Sequence, residues 1–576
     1  MSRTAYLFET RSVQSFIFEG GKLRDMVTAS DQLDALCNEP LSHVLQTCKL
    51  VENDNIWFSR KAGGAVYAIL DSLDKAKELR ALWSFYVRKH FPGVEIVQVI
   101  ETAETVHQTM AAALEKMAQQ RNILTAQYPA PGPLVRRSPR TANPVTEWDD
   151  SRKEWNDSRK EWIDEATRLK RKEKKTKDSL VPKFIPDGKN YIADQWPINL
   201  EHDGGDFPFI KDDRNVALVH ADGNGIGELL MVLGKVVETI AGKANSEEEN
   251  SDLIYVTLFR EFSNAMEEAT KAAAQDAMQT IFKTLPSDAE KIPARPMVLG
   301  GDDLTILIRA DLALPFASEF CSAFARQTEE KLAGLYTTVR EQLGSDTIEV
   351  KGQTYNINRL KSLTACAGIA FIKSNQPFLQ AHDLAEDLCK EAKRQSRHVL
   401  TDKHALIPAS ISFHQVSSAL IEKVKEIKTH EWAISIKKDE SNENTPNNTK
   451  TRYLAMGAYG LDADLPAFSH LQELASLFGD KGLNRSGLRQ VATLLKEDPD
   501  KAQQRYARWR DIEKSKQSKV TKEPLLDRYD QLISQLCTIS NPAEIPFDST
   551  SLKSPLVDLL LLTYLPKTPD AKGEAV

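Results

Sequence analysis

Arg295-Pro296-Met297-Val298-Leu299-Gly300-Gly301-Asp302-Asp303-Leu304-Thr305-Ile306-Leu307-Ile308 is the stretch on which the fold turns. Two runs rich in apolar and β-branched residues flank Gly300-Gly301-Asp302-Asp303, which predicts a β-hairpin with adjacent carboxylates at its tip. The glycines let the backbone turn tightly, and Gly300 and Gly301 leave room for a bulky ligand. Neighbouring acids repel one another, and a divalent cation is the simplest compensation.

Working outward, Asn215-Val216-Ala217-Leu218-Val219-His220-Ala221-Asp222 reads as a buried strand ending in an acid. Gly223-Asn224-Gly225-Ile226-Gly227 follows, and then the helix-forming run Glu228 to Leu233. A strand, a glycine-rich turn and a helix N-terminus present free N–H groups to an anion, so Asn224, Gly225 and Gly227 are candidate phosphate contacts. Acids on neighbouring strands can hold two Mg²⁺ or Mn²⁺ ions about 3.5–4 Å apart, the arrangement of phosphoryl-transfer enzymes. Asp222, Asp302 and Asp303 are the candidate catalytic acids, and with Gly223 the candidate metal site. Downstream, Ser362 to Phe371 reads as another strand. After Pro377 a helix runs to Lys393, whose ammonium is placed to meet a triphosphate as a point charge.

Asp222-Gly-Asn-Gly-Ile-Gly227, Gly300-Gly-Asp-Asp303, Ala367-Gly-Ile-Ala370, Pro377, and Ala385-Glu386 with Ala392-Lys393 stand in an order that resembles the palm of the large subunit of type III CRISPR effector complexes. That palm is similar to the palm of GGDEF-type nucleotide cyclases. The resemblance implies a ferredoxin-like βαββαβ palm that makes cyclic oligoadenylate second messengers from ATP in antiviral defence. It also implies guide or target RNA and other effector subunits as partners. The N-terminal stretch Leu7 to Phe18, with Lys22-Leu23-Arg24, looks like the start of the family's first palm. Strands at Asn55–Ser59 and Ala65–Leu70, a helix over about Leu73–His90 and a strand at Val94–Ile100 repeat the βαββαβ pattern. The hairpin tip there is Gly63-Gly64-Ala65-Val66, with glycines and no acids, so this copy is expected to hold no catalytic metal.

The expected class is therefore α+β. A first, degenerate palm covers 1–128, a helical insert and linker 129–212, the palm with the acidic hairpin 213–425, and an all-α domain 426–576. In the family that last domain docks on small subunits. Departures from the family carry their own expectations. No HD nuclease segment precedes the first palm, so DNase activity is not expected, and His382-Asp383 reads as a helix-surface pair. The six cysteines are scattered with no CxxC, so no structural zinc is expected. Asn224 stands where many relatives carry a second Asp, which lowers the charge of the metal site.

Composition bounds the rest. A hydrophobic content of 41%, a charged content of 27% and a net charge of −7 describe a globular chain that is no bulk polyanion binder. There is no apolar signal region and no apolar run long enough for a bilayer. The apolar stretch Leu556–Leu565 reads as a core helix, and the expectation is a cytoplasmic protein with no membrane partner. Trp148, Trp155 and Trp162 recur every seven residues in a repeated Asp-Ser-Arg-Lys-Glu-Trp, which predicts a helix with a tryptophan stripe. The basic run 168–177 follows, then a loop-rich linker over 182–208 and a polar loop over 437–450. Two functions are carried forward. One is a metal-dependent nucleotidyltransferase acting on ATP or another NTP. The other is a catalytically weak or inactive nucleotide-binding scaffold of an RNA-guided complex.

Overall fold

The computed structural model describes residues 3–123, 132–149, 161–172, 180–190, 192–201, 205–243, 253–286, 289–402, 405–418, 420–436, 450–461, 465–479, 482–520, 525–539 and 541–565. The chain opens with β1 (Arg3–Arg11), α1 (Val13–Phe18), α2 (Leu23–Ala35) and α3 (Glu39–Thr47). The hairpin β2 (Ile56–Ala62) and β3 (Ala65–Leu70), then α4 (Leu73–His90), β4 (Glu95–Ala103) and α5 (Val106–Arg121), complete the first unit. Its four strands form an antiparallel sheet in the order β2-β3-β1-β4. The α4 helix starts where the Ser72 side chain accepts from the Lys75 N–H, and it ends on Arg88, Lys89 and His90, which suit the helix dipole. Its buried residues Ala76, Leu79, Trp83 and Val87 recur every three or four positions and pack on the sheet.

The insert differs from its expectation. Val145–Asp149 and Glu161–Asp164 are strands, β5 and β6, that pair antiparallel with Trp148 opposite Trp162. The two indoles meet edge to face at 4.8 Å, so a cross-strand contact takes the place of a helical stripe. Trp155 lies outside the described residues. Of the basic run only residues 168–172 are described, within α6 (Glu165–Lys172). Its Arg171 is held by Asp25, Asp149 and Glu161 rather than exposed. Between 182 and 208 the chain is irregular as expected, yet it buries Phe184, Trp196 and Phe207.

The second unit runs β7 (Asn215–Gly223), α7 (Ile226–Lys243), α8 (Ile254–Thr284), β8 (Ala294–Gly300), β9 (Asp303–Arg309) and α9 (Ala310–Leu343). A small hairpin, β10 (Thr347–Val350) and β11 (Gln353–Asn356), leads to β12 (Ala365–Lys373), α10 (Phe378–His398) and β13 (Ser410–Gln415). Then come α11 (Val424–Ile427), β14 (Ala433–Ile436), β15 (Lys450–Tyr453), β16 (Tyr459–Gly460), α12 (Phe468–Ser476), α13 (Arg485–Glu497), α14 (Pro499–Val520), α15 (Leu525–Leu536) and α16 (Leu556–Tyr564). The strands after residue 426 depart from an all-α reading, and residues 437–449 of the polar loop lie outside the described residues.

The second sheet has the order β16-β13-β12-β7-β9-β8. Ala217, Val219 and Ala221 face the core shared with α8 and α9, while Val216 and Leu218 face a core shared with α2 of the first unit. Sheet and helices are therefore closed on both faces, as the near-continuous apolar run of β7 requires. The two-residue β16 seals the edge of β13, and Asp558 of α16 accepts from the Met456 N–H and the Tyr459 hydroxyl to hold it there. Among the described residues no helix is long and apolar enough to cross a membrane.

Two contacts fix α10. A Cβ on Gly368 of β12 would lie 1.9 Å from the Ala385 carbonyl oxygen and 2.4 Å from the Cys389 nitrogen, so the helix sits flush on the strand. On its other side Glu391 accepts from Arg394, Gln395 and Lys428, and Lys553 donates to Gln395. Gly368→Ala is expected to cost about 3 kcal/mol or more of stability by overpacking. Gly334→Ala, in α9 with no packing neighbour beyond its own helix backbone within 4 Å of the new Cβ, should gain about 0.5–1 kcal/mol. Denaturant unfolding of both variants measures the contrast, and similar values would contradict the flush packing.

Candidate active site

Backbone register brings the acids together. Asp222, at the end of β7, is the cross-strand partner of Asp303, the first residue of β9, and Asp303 is also paired with Gly300 of β8. Asp302 projects from the tip toward Gly223, where a Cβ would lie 2.9 Å from the Asp302 Cβ. Gly223 therefore stands where only glycine admits Asp302. Gly301 turns with φ +62°, and its carbonyl accepts a 2.6 Å hydrogen bond from the Thr270 hydroxyl of α8.

The Lys393 ammonium, carried by α10, donates to Asp222 Oδ2 and, at 2.7 Å, to the Gly223 carbonyl oxygen. Burial works to raise Asp222, yet the Lys393 charge brings it below its ordinary range. Burial, then the Asp222 charge, pushes Asp302 up to about 7. The same causes, with Asp302 added, hold Asp303 well above the usual carboxylate range. One lysine does not balance three acids, so the cluster has capacity for more positive charge. The three carboxylates and the Gly223 carbonyl are hard oxygen donors of the kind that Mg²⁺ or Mn²⁺ takes, although the three acids are not gathered as tightly as a closed ligand set.

Asn224 is buried and pinned. Its N–H donates to the Thr364 carbonyl at 2.8 Å, and its side-chain amide donates to Thr364 Oγ1 at 2.9 Å. Its Oδ1 is buried without a hydrogen-bond partner among the described residues. The side chain thus ties the turn to the chain entering β12. Gly225 takes a positive φ of +73°, and Gly227 opens the first turn of α7 onto a cavity.

That cavity, about 580 Å³, lies between the two units. Gly227, Met231, Phe259, Gly301 and Asp302 line it from the second unit, and Arg60, Tyr67, His107 and Arg121 from the first. The hairpin tips face one another: a Cβ on Gly300 would lie 3.6 Å from the Gly63 Cα. Arg60 sits over the Tyr67 ring, and Arg121 pairs with Glu9. Sequence reasoning missed Arg60 and Tyr67 because their hairpin lacks acids, and Arg121 because it ends α5, away from any motif; the signal available was an arginine three residues before Gly63-Gly64.

No family model and no curated protein matches the chain. Solved structures similar to it include a Csm1–Csm4 cassette in complex with cA4, at 12% identity and a TM-score of 0.44, over 97% of this chain and 70% of that one. A Csm1–Csm4 cassette in complex with one ATP matches at 12% identity and a TM-score of 0.45 over the same shares. Csm1 of T. onnurineus matches at 12% identity and a TM-score of 0.44, over 97% of this chain and 69% of that one.

The acids predict a pH dependence. Free of divalent cations, folded Asp302 keeps its proton up to about pH 7, against 3.8 as its ordinary value. The folded state binds more protons across that window, so the contribution is present below the lower value and lost as pH rises through the upper one. In chelator, the fall in Tm between about pH 5 and about pH 8 should be steeper for the wild type than for Asp302→Asn/Asp303→Asn. Mg²⁺ should flatten the wild-type curve. Equal slopes would contradict this electrostatic account.

Proposed function

We propose that the chain is a large subunit of the type III CRISPR kind and a metal-dependent nucleotidyltransferase that makes cyclic oligonucleotides from NTPs. ATP and a cyclic oligoadenylate product follow from the motif resemblance. On this reading both sheets are ferredoxin-like palms, the first without catalytic acids. The observation that carries it is the convergence of Asp222 of β7, Asp302 and Asp303 of the β8–β9 hairpin and Lys393 of α10, with Asp302 lining a cavity shared by the two units.

Asp222, Asp302, Asp303 and the Gly223 carbonyl would hold the metal. When bound, it supplies Lewis-acid activation of a 3′-hydroxyl and charge neutralisation at the pyrophosphate leaving group. Gly225 and Gly227 would present backbone N–H groups at the α7 N-terminus to phosphate oxygens. Lys393 would turn from Asp222 to the triphosphate, a charge-assisted contact worth about 1.5–3 kcal/mol. Arg60 and Arg121 would meet phosphates from the opposite wall, which makes the first unit part of the site. Gly300 and Gly301 would leave space for the nucleotide between the hairpin tips.

A second reading, an inactive nucleotide-binding scaffold, is favoured by one observation: Lys393 already satisfies Asp222 and the Gly223 carbonyl. Each labelled NTP, incubated with Mg²⁺ or Mn²⁺ and the chain alone or in its native complex, followed by chromatography, separates the two. The expected result is a cyclic product from ATP that Asp302→Ala/Asp303→Ala reduces by about 10³-fold or more, since each 1.36 kcal/mol of lost transition-state stabilisation is about tenfold in rate. Retained circular dichroism would show the variant folded. Nucleotide binding without product from the wild type in either form would establish the scaffold reading instead.

A further inference from the structure

The α10 helix carries a second cluster near its start. His382 is fully buried, its ring packed against Phe18 with centroids 4.9 Å apart and against His220 at 5.3 Å. Neither ring nitrogen has a hydrogen-bond partner among the described residues. Buried polar atoms are nearly always paired, so two orphaned nitrogens on one ring call for a ligand. The missing partner lies within reach: ligand atoms of His382, Asp383 and Glu386 are all within 4.8 Å of one another. His382 and Glu386 are four residues apart, one turn along the same helix face.

We propose that His382, Asp383 and Glu386 bind a divalent transition metal of the zinc class on the first turns of α10. Donor atoms around tetrahedral zinc are about 3.4 Å apart, so small side-chain rotations close the set. One imidazole nitrogen with two carboxylate oxygens favours zinc, cobalt or nickel over magnesium, which takes oxygen ligands. Lys390 holds Glu386 at 2.7 Å and lies 3.8 Å from Asp387, so metal entry moves this ammonium from Glu386 toward Asp387. This site is read independently of the nucleotide chemistry.

The test uses the full chain carrying Asp222→Asn/Asp302→Asn/Asp303→Asn, so that the acidic hairpin does not contribute. Zn²⁺ is titrated against a chromogenic chelator. One equivalent should bind, and adding Asp383→Asn/Glu386→Gln should weaken it by at least about tenfold. Asp383 is exposed and Glu386 only half-buried, so the fold should survive, as circular dichroism checks. Adding Lys390→Met instead should tighten binding by freeing Glu386. Co²⁺ should give a visible absorption band that Asp383→Asn/Glu386→Gln abolishes. Zinc affinity unchanged by that pair of substitutions, or no zinc bound by the folded hairpin variant, would overturn the proposal.

Discussion

Three carboxylates held together by backbone pairing are the constraint on which the second unit is organised. The β7–β9 register puts Asp222 beside Asp303, and the glycine at 223 lets Asp302 close in from the hairpin tip. Such a cluster is unfavourable by itself, because burial and mutual repulsion both oppose ionisation. Its one resident counter-charge, Lys393, arrives from α10, and α10 can deliver it only by lying directly on β12. The side-chain-free strip at Gly368 is thus as much a part of the site as the acids are.

Most of this was legible because it is written locally. Alternation and glycine placement located β7 from Asn215, the acidic hairpin and α4 over Leu73–His90, since each of these patterns reports its own backbone. The tryptophan repeat shows where local reading fails. A seven-residue spacing fits a helix face, but Trp148 and Trp162 find each other across a strand pair instead, a contact no period encodes. His382 was legible and was misread as a surface residue. It is followed by the polar Asp383, yet it lies beside the row Phe378, Ala381, Ala385, Leu388 and Ala392 that faces the core. The first unit's share of the cavity was hidden for a different reason: its contribution is cationic and aromatic, and a search for paired acids passes over it.

The two hairpins now form a complementary pair. The second presents acids at its tip, while the first presents Gly63-Gly64 with Arg60 and Tyr67 close behind. A polyanionic ligand between them would find carboxylate-bound cations on one wall and guanidinium groups on the other. The two walls therefore differ in the sign of the charge they offer, and the tips approach closely, which glycine at both permits.

The short strand β16 has a consequence for how the chain can be divided. It comes from the far side of the polar loop, yet it covers the outer edge of β13, and it is fastened in place by Asp558 of α16. The acidic half is consequently not a detachable module ending near residue 425. Severing the chain there would uncover the β13 backbone groups that now pair with β16, along with the Phe413 ring that stacks on Tyr459. A sealed border would become an adhesive one, prone to recruiting a strand from another molecule. Excision, transplantation or permutation of this half would have to carry the C-terminal helices along.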